Sequence, residues 1–227
     1  MSEFIPTYYF AHDYDDLYDF FLSQSHTVKH FQPGDYLWAP GEPLKKVYFF
    51  ISGIAQTYVE HEDGYRKILS FHGTGTVFPG FQNKSFKIER SIVITALTEI
   101  TALEFSRSEY YQMALNNAQL NAHILEWTST FINLLIYEVA HQRYNNTFLK
   151  LCNLLYLLSQ HSLEDEQYKI RLTQANIADI LAVNRVRVTQ NLTRLRKEKI
   201  IMSHRKWIEI IDLPKLISYC SLETVQP

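Results

Sequence analysis

The sequence predicts an α+β chain: an N-terminal β-roll, a long helix suited to dimerisation, and a C-terminal winged helix-turn-helix. Three observations lead there. All seven glycines lie between Gly34 and Gly80, among short runs of β-branched and aromatic residues. Between Ser106 and Pro214 there is neither glycine nor proline, and apolar residues recur at steps of three and four. Charge divides as well: residues 1–147 carry 10 basic and 16 acidic side chains, whereas residues 148–227 carry 12 basic and 8 acidic.

Length and composition narrow the classes. With 227 residues, 46% of them hydrophobic and 14% aromatic, and a net charge of -2, the chain can bury a core without metal or disulfide staples. Cys152 and Cys220 are too few and too far apart for a disulfide framework or an iron–sulfur cluster, which points to a reducing cytoplasm. Asp13, Asp15, Asp16 and Asp19 crowd the start, and no eighteen-residue apolar stretch follows. A soluble cytoplasmic protein with no membrane partner is expected.

The roll occupies the first domain, residues 1–117. From about residue 28 to 105, turn signals such as Pro33-Gly34-Asp35, Ser52-Gly53, Asp63-Gly64 and Pro79-Gly80 separate runs such as Val47–Ile51 and Ile92–Leu97. The second segment, residues 118–147, is a helix and a hinge. Leu120, Ile124, Trp127, Phe131 and Leu134 share one seam of a helix from about 118 to 143, about 40 Å long at 1.5 Å per residue. A seam of that length suits a dimer interface, with packing against the roll as the alternative. The polar stretch His141 to Thr147 reads as the hinge.

The third segment, residues 148–227, holds the reading head. Helical spacing at Phe148, Leu151, Leu155 and Leu158 breaks at Ser162 to Gln167 and gives way to a strand-like Tyr168–Leu172. Thr173 caps a helix that points Ile177, Ile180 and Leu181 inward; Ala182-Val183 turns, and Asn184 caps a second helix that buries Val188, Leu192 and Leu195. The opposite face carries Val186, Gln190, Thr193 and Lys197, with Arg187, Thr189 and Arg194 flanking and Arg185 at the first turn. Between residues 185 and 206 eight basic residues face Glu198 alone, the footprint of a polyanion partner. Such a pair of helices suits double-stranded DNA. Arg185 and Gln190 fit bidentate readout of guanine and adenine, while Arg187, Thr189, Arg194 and the capping Thr173 suit the backbone. Ile200–Met202 and Trp207–Ile211 form a wing whose tip, Arg205-Lys206, would touch phosphate.

At this point the chain resembles the Crp/Fnr (cyclic-AMP receptor protein/fumarate-nitrate regulator) family of bacterial transcription factors, over nearly all of residues 28–213. The segment Leu172 to Leu192 follows the family's winged-helix signature. Gly34, Gly41, Gly53, Gly64, Gly75 and Gly80, with Glu89-Arg90-Ser91, follow its cyclic-nucleotide-binding-like roll. The resemblance implies a homodimer on a two-fold-related DNA site, switched by a signal sensed in the roll, with RNA polymerase as a further partner.

Two departures stand out. Many members carry glutamate at the second position of the recognition helix, where this chain has Val186; an apolar side chain there can meet a thymine methyl, so a different half-site is expected. Arg90 and Ser91 match the pair that holds a cyclic phosphate, but Gly80, in Phe78-Pro79-Gly80-Phe81, stands where the ribose-binding glutamate belongs. The expected effector is therefore a small molecule other than cyclic AMP, aromatic or carboxylated, held by Phe78, Gly80, Phe81, Arg90, Ser91 and Trp127. Core packing is the alternative for those aromatics, and a surface pair with Glu89 the alternative for Arg90.

Other chemistries find less support. The region before residue 152 lacks cysteine, which closes iron–sulfur sensing. Haem ligation by His72 stays open, although a lone histidine beside a strand is more often structural. No nucleophile elbow, Walker loop, dinucleotide fingerprint or clustered metal ligands point to an enzyme or a resident cofactor. A ligand-binding regulator of another protein is the remaining alternative, and the basic second helix argues against it.

Overall fold

A computed structural model describes residues 6–79, 91–160, 169–204 and 207–225. The chain divides into two compact units, Tyr9–Thr130 and Phe131–Pro227, the second joined by the N-terminal residues through Tyr8.

In the Tyr9–Thr130 unit the strands are β1 (Tyr9–Phe10), β2 (Thr27–Phe31), β3 (Tyr36–Trp38), β4 (Lys46–Ser52), β5 (Ala55–Glu60), β6 (Arg66–His72), β7 (Val77–Phe78), β8 (Ile92–Ala96) and β9 (Ile100–Ser106). They form two sheets, ordered β1-β6-β5-β8-β3 and β2-β9-β4-β7. All pairings are antiparallel except β1 with β6. Phe21, Phe49, Phe50, Phe71, Ile94, Leu103 and Phe105 are fully buried and supply the core, contributed by the strands and by helix α1 (Tyr18–Ser23). Gly53 shows why the turns need glycine. Its φ is +89°, and a Cβ there would lie 2.0 Å from the Glu99 carbonyl oxygen. Helix α2 (Arg107–Asn116) starts on a capping box: Ser106 Oγ accepts from the Glu109 amide at 3.2 Å, and the Ser106 amide donates to the Glu109 carboxylate at 2.9 Å.

The segment before α1 is pinned by polar contacts. Thr76 Oγ1 donates to Asp13 at 2.9 Å, His12 meets Asp15 at 2.8 Å, and His123 meets Asp16 at 3.0 Å. Burial is the main cause that lifts the Asp13 carboxyl to about 6, against smaller opposing effects of Thr76, His12 and His123. A raised carboxyl favours the fold most at low pH, and that contribution disappears as pH rises through about 6. Asp13→Asn removes the charge and keeps an acceptor for Thr76. It is expected to stabilise the unit at pH 8 by on the order of 1 kcal/mol after discounting for partial exposure, and to do nothing at pH 4. Thermal melts of both proteins at the two pH values check this.

Helix α3 (Ala118–Tyr144) begins in this unit and ends in the other. Its length matches the expected helix, but its faces are reversed. Leu120 and Leu134 are fully buried and Trp127 nearly so within their own chain, with Ile124 and Phe131 half-buried. That seam is thus core, not a free dimer surface. Trp127 packs against Phe10, Phe78 and His72, at ring separations of 5.3, 5.7 and 6.1 Å. The exposed apolar stripe is instead Leu125, Ile132, Ile136 and Val139, the last two 64% and 73% exposed. At 100° per residue these four fall within about 60° of one another, well round the helix from the buried seam.

The other unit adds α4 (Thr147–Gln160), β10 (Lys169–Ile170), α5 (Gln174–Leu181), α6 (Arg185–Lys197), β11 (Ile201–Ser203), β12 (Ile208–Ile210), α7 (Leu213–Ile217) and α8 (Leu222–Val225). Strand order is β10-β12-β11, so the wing is extended by a third strand. The expected hinge is corrected here. Only Asn145 and Asn146 separate α3 from α4, and His141 is buried in a polar network rather than lying in a linker. Tyr8 ties in by donating its hydroxyl to the buried Glu138 carboxylate. The expected break at Ser162 to Gln167 lies outside the described residues. No helix among the described residues is long and apolar enough to cross a membrane.

Candidate nucleic-acid interface

Local chemistry sets both ends of the helical pair. Thr173 Oγ1 accepts from the Asn176 amide at 3.1 Å, and Asn176 Oδ1 accepts from the Thr173 amide at 3.2 Å, which starts α5. Ala182 ends it in the left-handed region, with φ 51° and ψ 47°, and the Val183 amide donates to the Ala178 carbonyl at 3.0 Å. Asn184 Oδ1 then accepts from the Val186 amide at 2.8 Å and opens α6. Ile177, Ile180 and Leu181 from α5 and Val188, Leu192 and Leu195 from α6 are all buried, which fixes the outward face of α6.

That face is solvated and cationic. Arg185, Val186, Arg187, Gln190, Arg196 and Lys197 are exposed, and Arg185 and Arg187 have no carboxylate partner among the described residues. Thr189 Oγ1 lies 2.8 Å from Gln174 Oε1 and 3.0 Å from the Arg185 carbonyl, so its hydroxyl ties the two helices together. The exposed Thr173 stands at the start of α5, where its hydroxyl is spent on the cap.

Arg194, expected at the DNA backbone, is also engaged within the fold while its side chain stays 52% exposed. Its Nε donates to Glu198 at 3.1 Å, and its guanidinium lies 3.9 Å from the centre of the Phe148 ring. Tyr219 donates to the same carboxylate at 2.7 Å, and these two hydrogen bonds hold the Glu198 carboxyl below the usual range. Arg194 is therefore a strut between α6, α4 and the C-terminal segment. The i,i+4 spacing of Arg194 and Glu198 was the signal that could have found it.

In the wing the His204 amide donates to the Trp207 carbonyl at 2.9 Å, closing the turn, while the two rings stack 3.6 Å apart and Lys169 Nζ sits 5.1 Å from the Trp207 ring centre. Arg205 and Lys206, the expected tip, lie outside the described residues.

For the effector site the structure brings together Phe78 and Trp127 and adds Phe10 and His72, which the sequence did not single out as a group. The His72 ring stacks on Phe78 at 3.6 Å. Its Nε2 meets Ser70 Oγ at 2.9 Å, and its Nδ1 has no hydrogen-bond partner among the described residues. Burial pushes its pKa down to about 3, so it enters the cluster as a neutral ring. Ser91 is half-buried just before β8, whereas Gly80, Phe81 and Arg90 lie outside the described residues. Among the described residues no group of three or more histidine, cysteine or acidic side chains could hold a metal ion. Burial raises both cysteine thiols to about 12, so neither is an activated thiolate.

Comparison with known proteins places both units. Residues 28–117 match the cyclic nucleotide-binding domain and residues 149–219 the Crp-like helix-turn-helix domain. The chain is 23% identical over 201 residues to the nitrogen fixation regulation protein FixK of Rhizobium meliloti, covering 88% of this chain and 90% of that one. It is 24% identical over 196 residues to the fumarate and nitrate reduction regulatory protein of Vibrio cholerae, covering 83% and 76%. Among solved structures it shares the fold of FixK2 from Bradyrhizobium japonicum, with a TM-score of 0.75 at 17% identity over 87% of this chain and 98% of that one. With a nucleotide-binding-type roll followed by a Crp-type reading head, in that order and over most of its length, the chain belongs to the Crp/Fnr family of transcription regulators.

Proposed function

We propose that this chain is a cytoplasmic, homodimeric DNA-binding regulator rather than an enzyme, controlled by a small effector in the roll that is not cyclic AMP. The observation that carries the reading is the outward face of α6. Arg185, Arg187 and Gln190 stand exposed there, on a helix whose other side is locked into a core. Two such heads in a dimer would meet successive major grooves about 34 Å apart. The apolar stripe on α3 supports the dimer. An effector seated beside the packed cluster of Phe10, His72, Phe78 and Trp127 would meet a flat, apolar surface there, since His72 offers no cation. Helix α3 contributes to both units, so an effector that favours one state of the roll can shift the population of reading-competent dimers. Contact with RNA polymerase is the further partner implied by the family.

Gel shifts with genomic fragments at two salt concentrations test the reading, because affinity resting on phosphate contacts falls steeply with salt. Arg187→Ala is expected to weaken binding to all sequences alike and to lower the salt slope by about one, whereas Arg185→Ala costs about 1–3 kcal/mol on the operator and relaxes preference. Salt-independent binding, or equal losses on operator and random DNA for both variants, would overturn it.

A further inference from the structure

The reading face of α6 is specific enough to say which base edges it can recognise. Arg185 to Lys197 contains no carboxylate, so nothing on the helix matches the amino donor of cytosine in the way Asp or Glu does. Several polar groups are already occupied. Asn184 caps the helix, Thr189 bonds Gln174 and the Arg185 carbonyl, and Thr193 donates to the Thr189 carbonyl at 2.8 Å while accepting from Arg196 at 2.7 Å. On the centre of the outward face this leaves Val186, Gln190 and Lys197.

Val186 is 60% exposed and sits directly before Gln190 in the i,i+4 sense, on the same strip. This branched aliphatic side chain stands between two arginines in the first turn of the helix and takes no part in its buried face. It faces solvent while Val188, two residues on, is fully buried. In a major groove its apolar counterpart is the 5-methyl group of thymine, and a free carboxamide matches N6 and N7 of adenine. The two side chains are separated by about 6 Å of helix rise, which spans one to two base-pair steps.

We infer that Val186 reads a thymine methyl and Gln190 an adenine within two base pairs of it, so that the centre of each half-site is set by A·T pairs. This rests on the DNA-binding reading given above.

The test is selection of operators from a random duplex library by the purified full-length protein at low salt, followed by replacement of individual thymines with deoxyuridine in the selected site. One thymine is expected at which uracil lowers affinity about four-fold, the loss of one buried methyl. The same replacement should have a markedly smaller effect on Val186→Ala, which withdraws both γ-methyl groups from the contact and whose exposed position leaves folding intact. Gln190→Ala should lose discrimination at the neighbouring adenine by tenfold or more. A selected site in which every thymine tolerates uracil, or whose preference at that step survives both substitutions, overturns the inference and leaves DNA binding standing. Failure to enrich any sequence overturns the DNA-binding reading itself, and this inference with it.

Discussion

Ile132→Glu together with Ile136→Glu is expected to give a folded monomer that no longer holds its operator. Both side chains lie on the exposed apolar stripe of α3, between Leu125 and Val139, and neither contributes to a buried core. In an isologous interface each residue meets its own copy or a near neighbour across the two-fold axis, so two substitutions place four carboxylates in one seam. Each large apolar side chain fully withdrawn from water contributes about 1.5–3 kcal/mol, and burying a carboxylate instead reverses the sign. The monomer would lose the gain from binding two half-sites at once, roughly a hundredfold to ten-thousandfold in affinity. Sedimentation at micromolar concentration and gel shift on a two-fold site measure the two consequences. Trp127→Glu is the informative contrast. It buries a charge among Phe10, His72 and Phe78 and is expected to melt the roll rather than to split a dimer. An unchanged dimer in the double variant would refute the stripe as the interface.

The reversal on α3 shows where a sequence stops being informative. Steps of three and four occur on both sides of this helix, and its length made the Leu120–Trp127–Leu134 seam look like the interface. Large rings are as apt to fill a core as to cover a partner, and only the surrounding strands decide between them. Where the chemistry is local the reading is nearly complete. Thr173 and Asn184 cap the helices they were expected to cap, and among the described residues Gly34, Gly41, Gly53, Gly64 and Gly75 take positive φ in the turns of the roll. Polar residues misled in the opposite way. The stretch from His141 read as a hinge because it is polar, yet Tyr137, His141 and Asn145 form one ladder at i, i+4 and i+8, and it is Asn153 on α4 that comes from a position periodicity does not link to them. Arg194 was indistinguishable by charge from Arg187, and its contact with Phe148 comes from a position 46 residues away in sequence.

Asn153→Ala should destabilise the reading unit by about 2–4 kcal/mol. Asn153 is fully buried on α4, and its carboxamide uses both ends. Nδ2 reaches Ser221 Oγ at 2.8 Å and His141 Nε2 at 3.0 Å, and Oδ1 accepts from the Ser221 amide at 2.9 Å. Around it Tyr137 meets His141 at 3.2 Å and Thr224 at 2.8 Å, and Ser221 meets Thr224 at 2.8 Å. Three segments, the end of α3, the middle of α4 and the C-terminal turn before α8, are thus held by one side chain. Truncation leaves the half-buried Ser221 amide without its partner and a small cavity beside it, and Asn153→Leu fills the cavity without repairing the amide. Both variants are therefore expected to unfold the reading unit early, Asn153→Leu somewhat less so, while hydrogen exchange in β4, β5 and β9 stays as in the parent. Equal loss of protection in the roll would mean that the two units unfold as one. Full retention of stability in Asn153→Ala would mean that the apolar residues of α4, rather than this network, set the seating of α3. The comparison with leucine matters most, because only a hydrogen-bonded role predicts that an apolar residue of greater volume still fails there.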